Sequence, residues 1–329
     1  MGIYGNVQVP LRNRRSTWCG ALLVALVAMA GCSREAADPP KRPSGPAAAV
    51  LRLAEHLRHN DLRGFARDAV PPAHFKALEA AWRSGTSRWP LTELPLDDQI
   101  EPMLSALAAP EALRELKKSF DRNLANQSRD LRQAAVSLGS FGVQYVQREG
   151  DYSPQERAHY VLVINALSEW AQQAPLGDPV RADAAISKLA AAARTSGFTG
   201  ETSLREAGME ASLVRLEPFF AASKNVLASY GLLIDRSLDG LRAEVIAEQG
   251  ETAQVRLRYP LAGREMDTVV DLERHDGRWY LADYLREGEH ALQALKSGAA
   301  PAQNTRSDMP AQTELPQTRQ APPDDQRLP

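Results

Sequence analysis

AQVRLRYPLAGREMDTVVDLERHDGRWYL, residues 253–281, alternates apolar and polar side chains with a period of two. Val255, Leu257 and Tyr259 fall on one side of an extended chain, and Gln254, Arg256 and Arg258 on the other. Met266, Thr268, Val270 and Leu272 repeat the pattern against Asp267, Val269 and Asp271. Parity then sets the register: for the odd-numbered apolar set to share a face with the even-numbered one, the connecting loop must be even in length, most simply Leu261 to Arg264. That pairs Tyr259 with Met266, Leu257 with Thr268, and Arg258 with Asp267 on the wet face. His275-Asp276-Gly277-Arg278 supplies a two-residue hairpin whose Asp-Gly suits a type I′ turn, setting Trp279 beside Arg274 and Leu281 beside Leu272. With Leu241–Glu248 as a first strand, joined through Gln249-Gly250-Glu251, the prediction is a four-stranded antiparallel meander buried on one face.

Upstream the period lengthens to that of a helix. Residues 47–60 and 61–70 give two short amphipathic helices, with Val50, Leu53, Ala54 and Leu57 on one stripe and Leu62, Phe65 and Ala66 on the next. Leu113, Leu116, Phe120, Leu124, Leu131, Ala134 and Leu138 recur at three- and four-residue spacing, which predicts one long buried stripe interrupted at Gln127. Ser153-Pro154-Gln155-Glu156 reads as a capping box with proline in the first turn. Asp178-Pro179 opens another helix that Gly197 ends, and a further helix spans about Ser212 to Leu233. The fold class is therefore α+β: a helical region over 47–235, then a sheet with a short helix over 236–296. Residues 32–46 read as a flexible tether, and the Pro/Gln-rich residues 297–329 have too little apolar surface to offset ordering entropy.

The first 31 residues read as an export signal. Arg12, Arg14 and Arg15 form a basic n-region, and the 12 residues Cys19–Ala30, CGALLVALVAMA, are almost wholly apolar. A bilayer-spanning helix needs about 20. Met29-Ala30-Gly31-Cys32 resembles the lipobox of bacterial lipoproteins, with Met29 where leucine is commoner. That resemblance implies cleavage before Cys32 and acylation, including palmitate, of the cysteine; two or three chains at about 0.8 kcal/mol per buried methylene hold a protein almost permanently. Ser33, where an aspartate would retain such a lipoprotein at the inner membrane, implies an outer-membrane location facing the periplasm.

Residue supply narrows the chemistry. The only cysteines are Cys19, which leaves with the signal, and Cys32, so thiol catalysis and cysteine-based metal centres are excluded. Three of the 39 Lys and Arg also leave, and the remaining 36 face 41 Asp and Glu, a balance of −5 that argues against a nucleic-acid partner. No GxSxG, HExxH or GxxxxGK[ST] motif occurs, and Gly139 and Gly142 in LGSFG have a spacing that suits close helix packing or a kink. His56 and His59 stand three apart on a helix without a visible third metal ligand, so no metal or other cofactor is assigned.

Four residues stand as candidates for ligand binding: Trp82, Trp89, Asp283 and Tyr284. The tryptophans lie in AAWRSGTSRWPLTELPLDD, where a loop aromatic serves either recognition or the plugging of a core edge; Trp89 precedes Pro90, which favours extended backbone. Strand parity places Asp283 on the apolar face, where burial would raise its pKa and suit it to act as a general base with a tyrosine such as Tyr284. The ending HDGRWYLADYL resembles the last hairpin of the NTF2-like superfamily, and VLRLAEHLRHNDLRGFA, residues 50–66, resembles its paired first helices. The resemblance implies a curved sheet whose concave face forms a pocket, though a helical bundle with an appended sheet also fits the pattern. Two functions are open: a membrane-tethered, non-catalytic module that binds an envelope protein or glycan, or a periplasmic hydrolase or isomerase that uses the sheet pocket.

Overall fold

A computed structural model describes residues 44–94, 97–149, 152–200 and 202–297. The leader with Cys32, most of the tether and the tail from residue 298 lie outside them. The four strands are β1 (Arg242–Gln249), β2 (Thr252–Leu261), β3 (Arg264–His275) and β4 (Arg278–Leu281), in the order β1-β2-β3-β4, all antiparallel. The register is the one that parity requires: Tyr259 opposes Met266, Leu257 opposes Thr268, Arg258 opposes Asp267, and Trp279 opposes Arg274. On the wet face Arg258 Nε donates to Asp267 Oδ2 at 3.1 Å. Both hairpins turn through two left-handed residues, Ala262-Gly263 and Asp276-Gly277, as type I′ geometry demands. A bulge between Val245 and Ala247 interrupts β1.

Twelve helices are seen among the described residues. The first three are α1 (Pro46–Arg58), α2 (Leu62–Ala69) and α3 (Pro72–Ser84). Then follow α4 (Ile100–Ala108), α5 (Ala112–Asn123), α6 (Ser128–Arg148) and α7 (Pro154–Gln173). The remainder are α8 (Pro179–Ser196), α9 (Ser203–Ala207), α10 (Met209–Ser229), α11 (Ile234–Asp239) and, after the sheet, α12 (Ala282–Ser297). The capping box at Ser153 forms, with Ser153 Oγ accepting from Glu156 N at 3.2 Å, and Gly197 ends α8 in the left-handed region. The chain is thus α+β, with helices on both sides of the sequence that makes the sheet.

Two sequence expectations fail. The stripe from Leu113 to Leu138 is neither continuous nor buried: α5 and α6 are separate helices, and Leu124 and Leu138 are 41% and 70% exposed. Asn126 takes a left-handed conformation, and its N–H donates to Gly177 O at 2.9 Å, which breaks the helix there. Three-four spacing sets which residues share a face but not what covers that face. The second failure concerns Asp283. β4 ends at Leu281 and α12 begins at the next residue, because Leu285, Gly288 and Ala291 recur at helical spacing from there on. Asp283 is consequently exposed in the first turn of α12, paired with Arg286, and away from the sheet's apolar face.

The main core gathers α2, α3, α4, α8, α10 and α12 around Trp82, Leu104 and Leu213, each at most 1% exposed. Alanines let α8 approach: Ala190 and Ala193 are completely buried. Gly139 and Gly142 do the same between α6 and α7, where a Cβ on Gly139 would collide with Ser168 and one on Gly142 would press on Ile164.

Two polar clips orient α1, the helix that lies on the sheet. His56 sits between two carboxylates, Nδ1 2.8 Å from Asp61 Oδ2 and Nε2 3.0 Å from Asp68 Oδ2; Asp68 also accepts from Arg278 of β4 at 2.9 Å. Burial opposes the Asp68 charge, but the hydrogen bonds from His56 and Arg278 outweigh it and hold the carboxyl below its ordinary range. At the same C-terminal end of α1, the buried Lys224 ammonium of α10 donates to the carbonyls of Leu57 and Arg58, both at 3.0 Å, and to Asp235. A cation there satisfies orphan carbonyls and complements the helix dipole. Lys224→Met should lower the unfolding free energy by about 2 kcal/mol, because it takes from the Arg58 carbonyl its hydrogen bond, leaves Leu57 O with Asn60 N alone, and removes the ion pair with Asp235. Urea denaturation of the full chain measures this.

Candidate functional site

One face of the sheet carries Ala253, Val255, Leu257, Tyr259 and Leu261 from β2, with Met266, Thr268, Val270 and Leu272 from β3 beside them. Its two ends are sealed by different helices. Val50 of α1 packs with Ala253, Val255 and Leu272, while Val163, Ala166, Leu167 and Trp170 of α7 pack with Leu261 and Met266. Val255 and Met266 are wholly buried and Leu272 is 1% exposed, yet Leu257, Thr268 and Val270 between them are only half-buried. Along this face α1 and α7 belong to separate hydrophobic clusters; Leu257 and Val270 pack against the α1 cluster and, with Thr268, form a strip that keeps part of its surface in solvent.

Phenols and imidazole border that strip. Tyr259 Oη lies 3.2 Å from His159 Nε2 of α7, and the rings meet edge to face at 6.1 Å. His159 Nδ1 is buried and finds no hydrogen-bond partner, so either tautomer leaves one ring nitrogen unsatisfied. Burial lowers the His159 pKa and keeps the ring neutral, and burial together with neighbouring Tyr160 pushes Tyr259 up to about 12. Tyr284 of α12 is likewise pushed upward, by burial first and then by Glu93, Asp283 and Tyr160. Tyr160, itself 5.9 Å from the His159 ring, is therefore an electrostatic neighbour of both phenols.

The sequence candidates divide. Trp89 and Tyr284 come together, edge to face at 5.7 Å, with Phe65 on the other side of Tyr284 at 6.0 Å. Trp89 is 1% exposed, its bond to Pro90 is cis, and its Nε1 is buried without a partner. Trp82, by contrast, is a core residue whose Nε1 donates to Leu204 O at 2.9 Å, which leaves it nothing to offer a ligand. Asp283 is remote from the sheet face for the reason given above. His56 and His59 do not converge: His59 Nδ1 lies 3.0 Å from Glu55 O and its Nε2 lies 2.9 Å from Arg58 Nη2. Among the described residues no group of three or more His, Cys, Asp and Glu is placed to hold a metal ion.

Sequence reasoning missed His159 and Tyr259 as a pair. Each lies on a face that periodicity identifies, but 100 residues separate them, and only the docking of α7 on β2 brings them into contact. What the cluster offers is hydrogen-bond donors at neutral pH, phenols and a neutral imidazole, set beside an apolar strip. No family model, curated protein or solved structure matches the chain.

The buried imidazole makes stability depend on pH. Folding lowers its proton affinity, so the unfolded chain takes up the proton first; stability is full above the ordinary histidine value of 6.5 and declines as pH falls through it. In chemical denaturation between pH 8 and 5, His159→Asn should lose less stability on acidification than the natural chain. His74, also lowered by burial, supplies the part that remains.

Proposed function

We propose that this chain is an outer-membrane lipoprotein, anchored through acylated Cys32 and facing the periplasm, which serves as a non-catalytic binding or envelope-assembly module. Support for the anchor is the basic n-region, the 12-residue apolar core and the ending Met29-Ala30-Gly31-Cys32. No helix among the described residues is long and apolar enough to cross a membrane. The observation that carries the binding role is the half-buried strip Leu257-Thr268-Val270, flanked by α1 and α7 and bordered by phenolic donors. The meander with α1 on its apolar face, and the paired helices α1 and α2, support an NTF2-like reading, in which we take the strip as the counterpart of the concave pocket. The partner is an envelope protein segment or a glycan that lays an apolar face on the strip.

The hydrolase or isomerase alternative draws less support. It needs a general base on the sheet face, and the carboxylate assigned to that role, Asp283, is exposed on α12 and held by Arg286. Of the groups that remain, the phenols raised by burial are donors and not bases at neutral pH, and the His159 imidazole, which can act as a base, faces Tyr259 through Nε2 and has no orienting partner at Nδ1.

Two measurements test the proposal separately. Metabolic labelling with an alkyne-bearing palmitate analogue should tag the chain, and Cys32→Ala should abolish the tag and leave an uncleaved precursor; an untagged natural chain would refute the anchor. A photo-crosslinking amino acid at position 268 should give one adduct of discrete mass in intact cells, whereas the same group at position 267 on the wet face should not. Equal adducts at both positions, or none, would count against the strip as the binding surface.

A further inference from the structure

α6 carries an apolar seam whose centre, Ala134, Leu138 and Phe141, its own fold leaves exposed, while Leu131 and Tyr145 at its ends are half-buried. Leu131, Ala134, Leu138, Phe141 and Tyr145 recur at alternating intervals of three and four, the strict spacing of a two-helix coiled-coil seam and narrower than the stripe of a globular core helix. Over the same 21 residues, about 31 Å of helix, the packing of α6 is chiefly on α7, and it uses a different side. Gly139 and Gly142 approach Ser168 and Ile164, and Ser168 Oγ donates to Ala135 O at 2.9 Å. That contact turns the seam sideways into solvent: Leu138 is 70% exposed and Phe141 49%, and Ala134 is also exposed. The Phe141 and Tyr145 rings stack on one another along the helix at 6.4 Å.

We infer that this seam pairs with the α6 of a second copy of the chain, antiparallel. Side-chain size and charge favour that partner. In an antiparallel pair each a position meets a d position of the other helix, which sets Leu138 against Phe141 of the second copy, small Ala134 against large Tyr145, and Leu131 against the Arg148 stem. The Arg148 guanidinium then lies at the level of Asp130. A parallel pair would instead stack Tyr145 on Tyr145, Arg148 on Arg148 and Ala134 on Ala134, crowding one layer, opposing like charges in another and leaving a void in a third. On the side away from α7, the flanking positions Asp130, Ser137 and Gln144 bring no like charges together in the antiparallel arrangement; on the other side α7 covers Ala135 and Gly142. The two-fold is isologous, so each α6 both offers and receives the same surface.

The test uses the full chain in density-matched detergent. Sedimentation should give a dimer, and Leu138→Glu should raise its dissociation constant at least ~10-fold, since a carboxylate replaces an apolar contact at the centre, while the circular dichroism spectrum of the folded chain stays unchanged and melting loses its dependence on protein concentration. Co-expressed, differently tagged Ala134→Cys and Tyr145→Cys chains should form a mixed disulfide under mild oxidation, whereas Ala134→Cys alone should not cross-link. A monomer at micromolar concentration would overturn the inference, as would an Ala134→Cys homodimer. Monomers whose α6 binds phosphatidylethanolamine–phosphatidylglycerol vesicles, with binding lost in Leu138→Glu, would also overturn it, by assigning the seam to a lipid surface.

Discussion

The pairing of β2 with β3 is the constraint from which the rest of the architecture follows. With Val255 opposite Val270 and Tyr259 opposite Met266, the apolar side chains of the two strands other than Pro260 and Val269 lie on one face, and the Arg258–Asp267 and Gln254–Asp271 pairs lie on the other. A slip of one residue would turn Met266, Thr268, Val270 and Leu272 toward water and bring Asp267 and Asp271 beneath the helices. The two-residue turns at Ala262-Gly263 and Asp276-Gly277 fix that register locally. The helices then have only one apolar platform on which to dock, α1 at one end and α7 at the other.

How α1 and α7 are held determines what lies between them. α1 is clamped twice at its C-terminal end, by Lys224 on its last carbonyls and by the His56–Asp68–Arg278 chain that reaches β4. α7 is tied to the sheet by Glu169, which accepts from Arg264 Nε at 2.7 Å, and to the end of α10 by Trp170, whose Nε1 donates to Tyr230 O at 2.9 Å. Because each helix is anchored separately, neither is free to slide over Leu257, Thr268 and Val270. The orphan nitrogens fit this picture: the Trp89 ring is fixed by packing, and the His159 ring by packing and the one hydrogen bond to Tyr259.

Much of this could be read directly from the residues. The alternation over 253–281 specified strand order, register and both turns, because a period of two with one buried face admits few solutions; the capping box at Ser153 and the Asp178 and Gly197 boundaries of α8 were equally local. Position 283 shows where that logic stops. Parity continues for as long as the backbone is extended, and nothing in the pattern up to Leu281 announces that the next residue starts a helix. Leu138 shows the complementary failure, since spacing reveals an apolar face but not whether a neighbour covers it. Of the four candidate residues, Trp89 and Tyr284 share a cluster, whereas the partners His159 and Tyr259 arise from long-range docking to which local pattern is blind.

A functional reading centred on the sheet face depends on that strip being accessible in solution. Methyl NMR with a neutral paramagnetic agent measures it residue by residue. An open strip predicts strong relaxation enhancement at the Leu257, Thr268 and Val270 methyls and protection at Val255 and Leu272. Uniform protection across all five would mean that α1 and α7 close over the face, and would contradict a binding role for it.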